Sequence, residues 1–380
     1  MSRTAIIGAR VLTPTGWRDG VLVDGGHIID TFDGPAPAAD ETLHLPGGTL
    51  LPGFIDTQVN GGGGVLFNDA PTVEGIRAIA AAHRRFGTTG LMPTLISDDL
   101  EVVARAIEAV DAAIEQAVPG VLGIHIEGPF LNAARRGIHD AAKFRTLDGE
   151  AIALLARPRR GVRLVTLAPE CAPPGAIDAL ANAGVIVAAG HSIATYEQTR
   201  AALDEGLAGF THLFNAMTGL ESRAPGMVGA ALEDRASRFG IIVDGHHVAP
   251  ATLRVALAAR GLDGAMLVTD AMPPAGTAMT EFSLMGRRIT VADGVLRGED
   301  GTLAGAALTM AQAYRNAMAM LRLDAAQVSA LASASPAAFL QLDQFRGVIA
   351  PGRRADLVHL DDDHRVTRTW IDGDLLAVGE

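Results

Sequence analysis

The chain reads as an α/β protein: a (β/α)8 barrel of the TIM type, with a small β-sandwich domain formed by the N- and C-terminal segments. Three observations predict this. From Leu50 onward, apolar runs of strand length alternate with helical patterns, and eight such runs can be counted by Asp270. Both chain ends carry short β-type runs broken by turn residues. Four of the barrel runs stop on a polar side chain, Glu127, His191, His212 or Asp270, and strand C-termini are where such barrels carry their chemistry.

Taken in order, residues 1–48 hold the runs Ala5–Ile7, Val21–Val23 and His27–Ile29, separated by turn chemistry such as Asp24-Gly-Gly26. They form the first part of the small β domain. His27 and His44 have no partner at ligand spacing and read as ordinary structural or surface histidines. The barrel spans residues 49–345. Its strands are read at Leu50–Asp56, Thr88–Leu95, Val121–Glu127, Val162–Ala168, Val185–Gly190, Leu207–His212, Phe239–Val243 and Ala265–Asp270. Helical patterns fall at Glu74–Phe86, which carries His83 as a packing or surface residue, and at Asp98–Gln116, Asp148–Leu155, Pro174–Ala183, Tyr196–Glu205 and Pro250–Ala259. Hairpin-like material follows from Phe282 to Val295, then a long helix from Leu308 to Leu321 and two shorter ones. Residues 346–380 return to β and complete the small domain.

Bulk properties narrow the function. A chain of 380 residues with 48% hydrophobic content suits one large barrel plus a minor domain. Aromatic residues are only 4%, against a stacked-ring carbohydrate platform. The formal charge of −12 suits neither nucleic acid nor an anionic membrane, though a local basic patch can still meet a small anion. Cys171 is the single cysteine, so neither a disulfide within the chain nor a multi-cysteine zinc site can form. The start lacks a signal-peptide core, and no apolar run nears the roughly 20 residues of a spanning helix. A cytoplasmic protein is the expectation.

Two imidazoles and a carboxylate at strand ends are ligands that zinc and similar ions accept, with one position left open for water. Glu127, His191 and His212 supply that set, and Asp270 can accept and return a proton beside it. Any one of these residues alone is more often a cap or an ion-pair partner. Four together, each closing an apolar run, favour a metal site. His125 shares the parity of Glu127 and reads as a hydrogen-bonding residue of the barrel interior. Arg135 to His139, the stretch from Asn215 to Arg223, and His246-His247 place cations and amides beyond strand ends, as a phosphate requires. Solvated loop charge accounts for them equally well on spacing alone.

Seven motifs in order resemble the N-acetylglucosamine-6-phosphate deacetylases of the amidohydrolase superfamily. They are Leu51-Pro-Gly-Phe-Ile-Asp56, His125-Ile-Glu-Gly-Pro-Phe130, Ala189-Gly-His-Ser192, Thr211-His-Leu-Phe-Asn-Ala-Met217, Val243-Asp-Gly-His-His247, Val268-Thr-Asp-Ala-Met272 and Leu303-Ala-Gly-Ala-Ala-Leu-Thr-Met310. The resemblance implies metal ligation by Glu127, His191 and His212 and catalysis by Asp270. It implies sugar and phosphate contacts from Ile138, His139, Asn215, Ala216, Arg223, His247 and a turn at Leu303, Ala304 and Gly305. It further implies a homodimer in which Arg223 can act on the neighbouring subunit, and a phosphorylated amino sugar as substrate. Many superfamily members carry His-x-His after the first barrel strand for a second metal. Here that place reads Gln58-Val59-Asn60, so one divalent ion per chain is expected: zinc, with iron, cobalt or manganese also compatible with the ligand set. Three alternatives stand beside this reading. One is a deacetylase of another N-acetyl hexosamine. Another is a cyclic-amide hydrolase of dihydroorotase or hydantoinase type, although no lysine ends a strand and Lys143 falls in a loop. The third is a non-catalytic sugar-phosphate sensor.

Overall fold

Strand-end residues can meet only if their strands are neighbours in one sheet, and they are. The computed structural model describes residues 3–377; residues 1, 2 and 378–380, assigned by sequence to the small domain, lie outside it. Eight strands line up in sequence order: β1 (Phe54–Val59), β2 (Thr88–Ile96), β3 (Gly123–Glu127), β4 (Val162–Leu167), β5 (Ile186–Ala189), β6 (Gly209–Phe210), β7 (Arg238–Ile241) and β8 (Ala265–Leu267). Every neighbouring pair is parallel. The ring is nearly closed by a parallel bridge between Val59 and Ala271.

The helices follow from ordinary end signals. In α1 (Val73–Arg84) the hydroxyl of Thr72 accepts the N–H of Gly75 at 3.1 Å. Helix α2 (Leu100–Glu115) buries the face Leu100, Val103, Ala106, Ile107 and Val110 on the barrel. Next come α3 (Gly149–Leu155), α4 (Ala176–Asn182) and α5 (Tyr196–Asp204), the last opened by a Thr195–Gln198 capping box. Helix α6 (Gly226–Glu233), which the sequence reading does not place, is buried continuously from Gly226 to Ala231 and so shows no polar–apolar period. Then follow α7 (Pro250–Arg260) and α8 (Met310–Leu321).

The two chain ends share one eight-stranded mixed sheet. Thr4–Thr13 pairs antiparallel with Gly16–Asp24 and parallel, in succession, with Glu41–His44 and Thr49–Pro52. Thr49–Pro52 then pairs with Leu357–Leu360, which joins the N-terminal strands to the C-terminal ones. Ile6, Val21, Ile28, Leu50, Leu357 and Trp370 form its core. A further antiparallel sheet, Glu281–Leu284, Arg287–Ala292, Val295–Gly298 and Leu303–Ala306, packs on Ile96, Ile138 and Met272. Leu303 to Gly305 is therefore strand and not turn. Backbone bonds from Ala306 N to Asp270 O and from Met272 N to Ala306 O, both 2.9 Å, fix it against the segment that follows β8. Among the described residues no helix is long and apolar enough to cross a membrane.

Candidate metal centre and active site

Glu127 is the last residue of β3, but the other three polar groups lie just beyond their strands on a left-handed backbone. The φ angles are +50° at His191, +35° at His212 and +51° at Asp270. Such a conformation at a non-glycine residue costs on the order of 1 kcal/mol or more and tends to persist where function requires it. Here it aims three side chains into the same mouth as Glu127.

The donor atoms lie close together. Glu127 Oε1 is 3.0 Å from His212 Nε2 and 3.3 Å from His191 Nε2, and the two Nε2 atoms are 3.1 Å apart. Tetrahedral bonds of 2.0–2.1 Å put ligand atoms about 3.3 Å from one another. His191 Nδ1 donates to the carbonyl of Arg135 at 2.9 Å, which fixes the proton there and leaves Nε2 bare for a cation. Burial opposes ionisation of Glu127, but hydrogen bonds and charge from His191 and His212 hold its carboxyl well below the ordinary range. Burial likewise disfavours protonated His212, and Glu127 overcomes it, raising the imidazole pKa. A carboxylate that draws positive charge between two imidazoles is what a divalent ion fits.

A second donor set is geometrically open, with His139 replacing His212 and ligand atoms within 4.8 Å of one another. Tautomer argues against it. The backbone N–H of Ser97 points at His139 Nδ1 at 3.3 Å, and an N–H can only donate. Nδ1 therefore accepts, the Ser97 hydroxyl lies 2.8 Å from it, and the neutral ring keeps its proton on Nε2. Burial, then the charge of His191, pushes the His139 pKa down to about 3, so the ring stays neutral. His139 is thus set up as a donor into the pocket.

Asp270 is held by amides. Asn60 Nδ2 donates to its Oδ1 at 2.6 Å, and Gln58 Nε2 lies 3.1 Å from the same oxygen while reaching Glu127 at 3.2 Å. Gln58 and Asn60 thus meet the two carboxylates with neutral amides and not with imidazoles. Burial, then the charge of Glu127, raises the Asp270 pKa, the direction a proton acceptor working near neutrality needs. Beneath it Asp56, fully buried, accepts the Thr269 hydroxyl at 2.5 Å and the Thr269 and Gln58 N–H groups at 3.3 and 3.2 Å. Burial pushes its pKa up to about 7.

Glu127, Ile138, His139, His191, His212, Asn215, Ala216, His247, Asp270, Leu303 and Gly305 line one pocket of about 240 Å³. Of the residues that the resemblance assigns to the site, Ala304 and Arg223 do not, and neither do Arg135, Arg136 and His246 from the basic stretches. Ala304 points the other way by strand alternation, into the core with Ile96 and Met272. Arg223 is exposed on the loop before α6 and lines no part of the pocket within its own chain. Gly137, from the Arg135 to His139 stretch, lines it too, and the pocket adds Asn60, Ile96, Ile242, Met272 and Thr302, none of which the sequence offered as a substrate contact. His247 Nδ1 donates to Asp244 at 2.6 Å, which fixes the ring; burial opposes ionisation of Asp244, but His247 keeps its pKa low. His125 lies in the barrel interior as expected, 2.8 Å from the Thr166 hydroxyl, and burial lowers its pKa to about 4.

A nearly closed parallel barrel with two histidines, a glutamate and an aspartate gathered at its strand ends is an arrangement in which a barrel hydrolase could hold a divalent ion. Residues 49–376 match the amidohydrolase family. An N-acetylgalactosamine-6-phosphate deacetylase of Shewanella sp. (strain ANA-3) is 47% identical, over 98% of this chain and 96% of that protein. A protein of the same name from Escherichia coli O157:H7 is 36% identical, over 97% and 98%. The crystal structure of N-acetylglucosamine-6-phosphate deacetylase from Pasteurella multocida superposes with a TM-score of 0.95 at 32% identity, covering 99% of this chain and 100% of that one. The chain belongs to the amidohydrolase family, in the group of N-acetylhexosamine-6-phosphate deacetylases.

Proposed function

We propose that the protein hydrolyses the acetamide of an N-acetylhexosamine 6-phosphate, giving the free hexosamine 6-phosphate and acetate. The observation that carries this is the convergence of Glu127, His191 and His212 within 3.3 Å, beside Asp270. Those three residues would hold one divalent ion, zinc being the first to try. Such an ion supplies Lewis acidity and makes water a nucleophile at neutral pH. Asp270 takes the proton of the attacking water and delivers it to the sugar nitrogen as the C–N bond breaks. His139 donates its Nε2 proton to the acetyl oxygen as negative charge develops there. Ile138, Asn215, Ala216, Leu303 and Gly305 shape the sugar site, and His247 meets the phosphate. Arg223, exposed in its own chain, reaches the phosphate of the neighbouring subunit in a homodimer.

For the hexosamine, the resemblance of motifs points to the glucosamine epimer, while the relative at 47% identity carries the galactosamine name. Identity near 36% does not separate the two, since proteins of both names occur there. We therefore take N-acetylgalactosamine 6-phosphate as the preferred substrate and the gluco epimer as the second reading. Acetate release from both sugars, with and without the 6-phosphate, tests this. Faster turnover of the galacto phosphate is expected. Equal rates on the unphosphorylated sugars contradict the phosphate site, and a preference for the gluco phosphate reverses the choice of epimer.

A further inference from the structure

A second cleft, of about 470 Å³, lies outside the barrel between α1, α8 and the small sheet. Three arginines from distant parts of the chain line it. Arg85 is the C-cap that follows α1, Arg315 lies in the second turn of α8, and Arg365 immediately precedes the strand Val366–Ile371. Phe86 and Pro274 give it an apolar side. Three cations lining one cleft are unexpected in a chain of net charge −12.

Their charge is poorly compensated. Among the described residues neither Arg85 nor Arg315 forms an ion pair within 4.0 Å. Half-buried Arg315 donates to the carbonyl of His364 at 3.3 Å. Burial, then the like charge of Arg365, lowers its pKa, with Asp361 acting the other way. Asp361 is committed to its own loop, where Oδ1 accepts the N–H groups of Asp363 and Arg365 at 3.0 and 2.7 Å. Arg365 pairs with Asp363 at 3.1 Å, but both side chains are 71% exposed, and such a pair is weak.

We propose that this cleft binds a phosphorylated small molecule, its phosphate held by Arg85, Arg315 and Arg365 and its carbon skeleton resting on Phe86 and Pro274. Guanidinium forks match phosphate oxygens in geometry as well as charge. The cleft is far larger than a bare phosphate needs, which favours an organic phosphate over the free ion. It is separate from the substrate pocket but shares a wall with it. Met272 and Gly305 face the pocket, while Pro274 and Ala307 face the cleft. The bonds between Ala306 and the Asp270–Met272 segment tie those faces together, so a ligand here bears on the turn that carries Asp270.

Equilibrium dialysis of the metal-loaded protein against labelled orthophosphate, and separately against glucose 6-phosphate, tests the proposal. The comparison is with Arg315→Gln and with the double variant Arg85→Gln/Arg365→Gln, whose exposed positions do not threaten folding. The wild type should bind one more phosphate-bearing ligand per chain than either variant, or bind it at least about tenfold more tightly. Glucose 6-phosphate should outcompete orthophosphate at the site the variants lose. Identical stoichiometry and affinity in all three proteins would overturn the site. A lost site that prefers orthophosphate would overturn the organic ligand.

Discussion

Asn60 Nδ2 lies 2.6 Å from Asp270 Oδ1, so a neutral amide stands directly beside the acid. Together with Gln58 it fixes the carboxylate that faces the donor set. Replacing Asn60 by Leu should leave metal content unchanged and lower turnover by about tenfold or more, roughly the worth of one hydrogen bond to a charged group. Acetate release and elemental analysis on the same preparation check this. An unchanged rate would remove Asn60 from the site.

Asp270→Asn keeps the shape and the hydrogen bonding of the pocket but cannot take a proton. Turnover should fall by about 10²–10⁴, the usual weight of a general acid–base group, with metal retained. A variant nearly as active as the wild type would mean that another group moves the proton.

His139→Gln should lower turnover by about 10²–10³ if its Nε2 proton meets the developing oxyanion, again with metal retained. Ser97→Ala removes the hydroxyl at Nδ1 but leaves the backbone N–H that sets the tautomer. Its loss should therefore be much the smaller of the two. Equal losses would contradict the tautomer assignment.

Asp56 gives stability a pH dependence whose sign is fixed. Its folded pKa of about 7 lies above the ordinary 3.8, so the fold prefers the protonated carboxyl. That contribution is complete below pH 3.8 and is lost as pH rises through about 7. Asp56→Asn has no proton to lose. Its stability relative to the wild type should improve between pH 4 and pH 8, by up to about 4 kcal/mol. Denaturation midpoints at several pH values give the result, and a difference that does not change with pH would refute the assignment.

The residues legible in the sequence were those that break a pattern. A carboxylate or imidazole closing an apolar run is visible without coordinates, and Glu127, His191, His212 and Asp270 all stood out in this way. The same rule applies to Ser97, which directly follows β2, but a serine at a strand end carries no chemistry until its partner is known. Asp56 was visible only as part of a motif, because its role depends on Thr269, a residue 213 positions away. The left-handed turns at His191, His212 and Asp270 were not legible, since histidine and aspartate do not announce such a backbone as glycine does. Helix α6 escaped because burial on all sides erases the period that reveals a helix. Ile138, Ala216 and Leu303 offer only apolar surface or backbone, and resemblance alone pointed to them.

Metal stoichiometry in wild type, His212→Ala and His139→Ala tests the assigned centre most directly. The wild type should hold one tightly bound divalent ion per chain, His139→Ala should keep it, and His212→Ala should lose it. Two equivalents in the wild type, or retention in His212→Ala with loss in His139→Ala, would contradict the centre described above.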